Sequence, residues 1–213
     1  MFAGPFSESI IARAQKQNKV KIKILNLRDQ AKDKHKTVDD KPYGGGKGMI
    51  LKVDIVVRTL EKISPKPYSI LLSASGKKFN QKIARILSKK ASIALICGHY
   101  EGVDARVEKF VEETLSLGDF VLSGGEIASM AIVDSIIRLI PSVIHPQSLQ
   151  NESFGVNPYL EYPQFTRPAN FKNLKVPKIL LSGNHREIKK WRDKEALKRV
   201  YKFRPDLLKK PTP

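Results

Sequence analysis

The chain has 213 residues, one cysteine, and 39 Lys and Arg against 21 Asp and Glu, a formal net charge of +18. That length buries a true core in one or two domains, and the composition excludes a disordered chain. The lone Cys97 excludes an internal disulfide, the four histidines lack metal-ligand spacing, and no apolar run is long enough for a bilayer span. The first spacing signal is a short helix over Ser7–Gln17. An alternating strand follows over Val20–Leu27, with Val20, Ile22, Ile24 and the leucines as its apolar set. Residues 28–48 read as a polar and then glycine-rich loop. The pattern predicts helices over Val53–Lys62 and Asn80–Ser88, the second capped by Asn80, and buried strands over Ser69–Leu72 and Ile93–Cys97. An apolar-striped helix over Glu126–Ile140 starts after Gly124-Gly125 and stops before Pro141. Strands alternating with helices predict an α/β fold with a largely parallel sheet.

Residues 141–170 change character to prolines and polar residues, as in a linker or long functional loop. Beyond them, Glu187–Phe203 reads as a basic amphipathic helix with Ile188, Trp191, Ala196, Leu197 and Val200 inside. A domain boundary is therefore expected near residue 145. The charge follows this division: residues 171–213 hold fourteen Lys and Arg against four Asp and Glu, while residues 91–139 hold three against eight. A polyanion such as nucleic acid is the expected partner of the basic ends, and the acidic middle is not expected to grip phosphates. A general drift toward lysine would explain the total charge but not its distribution. With no secretory signal, a cytoplasmic location is expected.

The stretch DDKPYGGGKGM at 39–49 looks like a phosphate cradle but does not have the spacing of one. Gly46-Lys47 is followed by Gly48 instead of Ser or Thr, and no G-x-G-x-x-G register fits. It marks either a structural turn or a backbone that something approaches closely. Three further stretches, LSASG (72–76), CGHYEGVD (97–104) and LGDFVLSGGE (117–126), each leave an apolar segment and turn through glycine. In open α/β sheets ligands bind at such turns beyond the carboxyl ends of strands, so a small-ligand site is expected there. Glu101, Asp104, Asp119 and Glu126 stand beside these turns, either as solvated acids and helix caps or as partners of a cationic ligand. Cys97 and His99 read as strand-end core residues. Arg138, inside DSIIRLIP, and Glu152, in LQNESF, are not singled out by spacing.

Taken together and in order, VDDKPYGGGKGM, LSASGKKFNQ, ICGHYEGVDARV, LSLGDFVLSGGE, DSIIRLIP, ESF, EYPQFTRP, VPKILLSGNH and FRPDLL resemble the bacterial tRNA (guanine-N1)-methyltransferases of the trefoil-knot (SPOUT) class. The resemblance runs from Met1 to Leu208. It implies a knotted, cofactor-binding parallel-sheet domain over 1–143, an interdomain loop over 144–158, and a small, mainly α-helical tRNA-binding domain over 159–213. It implies methyl transfer from S-adenosylmethionine to N1 of the guanine immediately 3′ of the anticodon, which maintains the reading frame. It also implies a homodimer with the site at the subunit interface, and magnesium dependence, although no dedicated magnesium cage is visible.

Carried over by motif, the cofactor residues are Leu72, Ala74, Gly76, Gly98, Tyr100, Glu101, Gly102, Ser116, Leu117, Gly118, Phe120, Leu122, Gly124 and Gly125. Arg138 takes the place of the catalytic arginine and Glu152 that of the general base, with Asp39, Gly48 and Ser153 meeting the tRNA. Three departures stand out. Glu152 replaces an aspartate, and a one-residue-shorter loop before ESF is expected to compensate for the longer side chain. Ala74 replaces a proline. The family's opening strand, ending LFPEMF, is represented only by Met1-Phe2, so either Met1 is an internal methionine, the expected case, or the protein lacks that strand. The rival to an enzyme is a non-catalytic RNA-binding homologue, which would bind tRNA without cofactor.

Overall fold

Tyr68–Lys78 shows how the fold is built, because its residues alternate between two buried faces. Ile70 and Leu72 point to one side of the sheet and Leu71 to the other, and all three are buried. The computed structural model describes residues 1–99, 101–150, 152–155 and 159–208. They divide into two compact units, Met1–Ile144 and His145–Pro213.

In the first unit, helices α1 (Ala3–Phe6) and α2 (Ser9–Lys16) are followed by an extended segment and a 3-10 turn at Leu27–Gln30. Strands β1 (Asp39–Asp40) and β2 (Ile50–Leu51) pair antiparallel and so close the glycine-rich loop between them. Then come α3 (Val53–Glu61), β3 (Tyr68–Lys78), α4 (Gln81–Leu87), β4 (Ile93–Cys97), a 3-10 turn at Ala105–Phe110, β5 (Glu113–Ser116) and α5 (Gly125–Ile137). The central sheet has the order β4-β3-β5, with both pairings parallel. A parallel sheet needs cover on both faces. Ile83 and Leu87 of α4 and Ile132 and Ile136 of α5 pack with Ile70, Leu72 and Leu115 on one face. On the other, Val56 of α3 and Val107 pack with Leu71 and Ile96. Asn80 caps α4 as its position predicts, its Oδ1 accepting the Ile83 N–H at 3.1 Å.

One predicted element is absent. Residues 20–26 are extended but belong to no strand. Val20 and Ile22 lean on the cluster of Phe6, Ile11, Ala14 and Ile137, while Ile24 and Leu25 are exposed. Alternation makes a segment able to pair, but a strand forms only where a neighbour supplies the ladder, and among the described residues none does.

The second unit holds α6 (Pro146–Gln150), a two-residue hairpin of β6 (Asn170–Phe171) and β7 (Leu174–Lys175), a 3-10 turn at Lys178–Leu181, α7 (His185–Phe203) and a last 3-10 turn at Pro205–Leu208. Lys172 and Asn173 at the hairpin tip have φ of 50° and 64°, as a tight I′-type connection requires. Among the described residues no helix is long and apolar enough to cross a membrane.

Candidate functional site

Because β3, β4 and β5 run parallel, their carboxyl ends share one edge of the sheet, and the three glycine turns leave from that edge. The first is a bulge within β3. Leu115 of β5 stands opposite both Leu72 and Lys77, so Ser73–Gly76 loops out of the ladder between them. Gly76 is required there, because a Cβ would lie 2.6 Å from the Leu115 backbone. Ala74 sits on the bulge and is exposed, and the Ser73 and Ser75 hydroxyls lie 2.9 Å apart.

The second turn, Gly98–Asp104, is fastened on two sides. Toward α5, the Gly125 N–H donates to Gly98 O at 2.8 Å, His99 bridges Gly124, and a Cβ on Gly125 would stand 2.7 Å from Cys97 Cα. His99 Nε2 contacts Glu126 Oε1 across the same junction. Toward the glycine-rich loop, the Glu101 N–H donates to Met49 O at 3.1 Å and the Leu51 N–H to Gly102 O at 3.0 Å. Gly48, at φ +85°, lies so close to the Glu101 side chain that an added Cβ would overlap it. The third turn follows Ser116, whose hydroxyl is engaged with Gly118. Lys78 pairs with Asp119 at its tip.

Leu72, Ala74, Gly76, Gly98, Glu101, Gly102, Ser116, Leu117, Gly118, Phe120, Leu122, Gly124 and Gly125 thus all belong to three neighbouring turns of one unit, with Phe120 exposed. Tyr100 lies outside the described residues. At Gly76 and Gly125 backbone packs on backbone, which leaves no room for a side chain at those two points of the edge. The carboxylates are graded by their neighbours. The Arg106 side chain beside Asp104 holds that carboxyl below its ordinary value, and Asp104 also caps the 3-10 turn through the Arg106 N–H. Burial pushes the Cys97 thiol up to about 11, so it stays protonated and serves the core. Among the described residues no group of three or more His, Cys, Asp or Glu side chains is placed to hold a metal ion. Among the described residues, then, the donor set does not fit a magnesium cage.

The remaining candidates lie elsewhere. Asp39 is in β1, next to the glycine-rich loop that holds Gly48. Arg138 caps the C-terminus of α5, half-buried between Ile137 and Leu139. Thirteen residues of helix separate it from Gly125, about 20 Å at 1.5 Å per residue. Glu152 and Ser153 belong to the second unit. Glu152 lines a shallow recess with His145, Gln147, Ser148, Glu161 and Gln164, and Ser153 Oγ accepts the Glu161 N–H at 3.0 Å.

What sequence reading missed is how the loop carrying Glu152 is held. Its aromatics meet α7 and the residue that ends it in reverse order. Phe165 faces Trp191 at 6.3 Å, Tyr162 lies under the Arg192 guanidinium at 4.6 Å, and Phe154 under that of Arg204 at 5.6 Å. The recurrence of aromatics at 154, 159, 162 and 165 in an otherwise aperiodic loop was the available signal.

Comparison with known proteins finds relatives over nearly the whole chain. The profile of the family described as tRNA (Guanine-1)-methyltransferase TrmD matches residues 1–210. A tRNA (guanine-N(1)-)-methyltransferase of Dictyoglomus turgidum is 53% identical over 214 residues, covering 99% of this chain and 86% of its own length. Proteins of the same name from Fusobacterium nucleatum and Mesomycoplasma hyopneumoniae are 54% and 52% identical. They cover 98% and 95% of this chain, and 87% and 88% of their own lengths. The chain belongs to the tRNA (guanine-N1)-methyltransferase family.

Proposed function

We propose that this protein is a cytoplasmic tRNA methyltransferase that modifies N1 of the guanine immediately 3′ of the anticodon, with S-adenosylmethionine as methyl donor, and so maintains the reading frame. The observation that carries the reading is the gathering of three glycine turns on one edge of the parallel sheet, in a chain of this family. In this reading the turns form the cofactor pocket of a knotted domain, 144–158 is the catalytic loop, and 159–213 grips tRNA through its basic surface. A bound S-adenosylmethionine supplies an electrophilic methyl on a sulfonium. Glu101, beside the turns, provides negative potential for that cation, whereas Asp119 is already matched by Lys78 and Glu126 is engaged by His99.

Guanine N1 carries a proton at neutral pH, so nucleophilic attack needs a base. Glu152 would accept that proton as N1 takes the methyl, the S–methyl bond breaking with its electron pair left on sulfur as a neutral thioether, and Arg138 would stabilise the negative charge that shifts onto O6. Asp39, Gly48 and Ser153 contact the target nucleotide and its neighbour. Ser153 already accepts a hydrogen bond from Glu161 N–H, so its hydroxyl serves the RNA as a donor. The distance of about 20 Å along α5 between Gly125 and Arg138 favours a homodimer. The arginine of one subunit would then complete the site built on the turns of the other.

Transfer of labelled methyl to tRNA transcripts tests the reading. Incorporation is expected only when guanine follows the anticodon, and Glu152→Gln is expected to abolish single-turnover transfer. Methylation independent of that guanine would refute the substrate assignment. Tight tRNA binding with no cofactor binding by calorimetry would favour a non-catalytic RNA-binding protein instead.

A further inference from the structure

Among the attachments of the turn that carries Glu152, one reaches α7 through Phe154. Phe154 has φ +60°, a left-handed conformation uncommon for an aromatic residue and one that persists only where the surroundings enforce it. Its N–H donates to Tyr159 O at 2.9 Å, and the Gly155 N–H donates to Glu152 O at 3.0 Å, which closes the turn around the carboxylate residue. The Phe154 ring lies under the guanidinium of Arg204, the residue that ends α7. That guanidinium is itself fixed in its plane. Nε and Nη2 of Arg204 donate to Asp206 at 2.9 and 2.8 Å, a two-pronged arrangement that lysine cannot reproduce. The Arg204 N–H also donates to Val200 O at 2.9 Å, and Val200 is fully buried. A continuous chain therefore runs from the core of the second unit through Arg204 to Phe154 and the Glu152 turn.

We propose that Arg204 is a positioning residue for methyl transfer. With Asp206 it forms a plate against which the Phe154 ring seats, and the seated ring sets where the Glu152 carboxylate stands. The inference rests on Glu152 being the base. It adds that the reaction geometry depends on the residue ending the basic helix α7, so that the element gripping the RNA also holds the base. The other aromatic contacts, Tyr162 with Arg192 and Phe165 with Trp191, extend the attachment but lie farther along the chain from Glu152.

The test uses the full-length protein and separates rate from affinity. Arg204→Lys keeps the charge but loses the plate, and Phe154→Leu keeps bulk but loses the ring. Each is expected to lower the single-turnover rate at saturating tRNA by roughly tenfold to a hundredfold, as displacement of a reacting group by about 1 Å would. The dissociation constants for tRNA and for S-adenosylmethionine are expected to stay near wild type, the former also reporting that the second unit is folded. The double variant is expected to be no worse than either single one, because both break the same contact. Phe154→Tyr is expected to recover most of the rate lost in Phe154→Leu. A wild-type rate for Arg204→Lys, or a rate loss matched by an equal loss of tRNA affinity, overturns the proposal. Glu152→Gln run in parallel distinguishes the two failures. If it retains the rate, the assignment of the base falls and this inference with it. If it is inactive while Arg204→Lys is not, only the positioning role falls.

Discussion

The two units solve different problems with different materials. The edge that carries the glycine turns stands on a three-stranded sheet whose faces are buried against Ile83, Leu87, Ile132 and Ile136 on one side and Val56 and Val107 on the other. Its turns are fixed where glycine backbones touch other backbones. Among the described residues the second unit buries few apolar side chains, Ile188 and Val200, and it exposes Phe171, Leu174, Leu181, Tyr201 and Phe203. Its loop is held by arginines and aromatic rings rather than by a core. The contrast suggests that a small ligand needs a rigid frame, whereas an RNA partner can finish ordering a sparse, basic one.

The most damaging change is expected in the frame. Gly76→Val would drive a side chain into the Leu115 backbone, which cannot give way, at a cost of about 3 kcal/mol by the usual measure of overpacking. Urea unfolding should show the loss, and calorimetry should show no cofactor binding. A stable variant with normal cofactor affinity would break the idea that backbone contact defines the edge. Val200→Ala should cost about 2 kcal/mol in the second unit. It is expected to weaken tRNA binding while leaving cofactor affinity unchanged, and equal losses of both would show that the units do not behave separately.

A smaller effect is expected where the glycine-rich loop touches the Gly98–Asp104 turn. Gly48→Ala meets both a left-handed backbone and the Glu101 side chain, costing about 1–2 kcal/mol if the backbone holds its conformation. Because Glu101 can swing aside, cofactor affinity should fall only modestly and tRNA methylation further. Loss of cofactor binding alone would place the loop in the wrong half of the site.

Acid should act on the frame through Glu112. Its carboxylate accepts the Ser69 hydroxyl at 2.5 Å and N–H at 2.6 Å, and with Lys66 nearby its pKa falls to about 2 from an ordinary 4.5. A carboxyl lowered on folding stabilises the protein fully above its unfolded pKa and loses that contribution as pH falls through the folded value. Thermal denaturation between pH 5 and 2 should therefore steepen through this window. Ser69→Ala should flatten that dependence, and an unchanged slope would remove Glu112 from the account. The smallest effect is expected from Asp119→Asn. Its pair with Lys78 is exposed on both sides, so the change in melting should correspond to less than about 1 kcal/mol.

Much of the first unit was legible in sequence because its signals are local. The run IALIC is strand β4 at the predicted bounds, and Asn80 marks the start of α4. Val20–Leu27 failed as a strand because alternation describes one partner and a ladder needs two. The glycine turns were legible as turns. Their gathering on one edge follows from parallel pairing, which local spacing suggests but does not demonstrate. Glu152 was reached through resemblance, since a carboxylate in a polar loop has no distinctive spacing.

The chain by itself therefore determined helices α3, α4, α5 and α7, strands β3 and β4, the glycine turns, the basic end and the family, because these are written in neighbouring residues and in ordered motifs, whereas β5 and α6 had no such signal. Tertiary structure alone decided that Leu115 pairs twice and forces the Ser73–Gly76 bulge, and that Gly48 rests on Glu101. It also decided that Arg204, fifty residues beyond Phe154, holds its ring. Contacts between residues distant in sequence are fixed by packing and pairing across the whole fold, so no local pattern announces them.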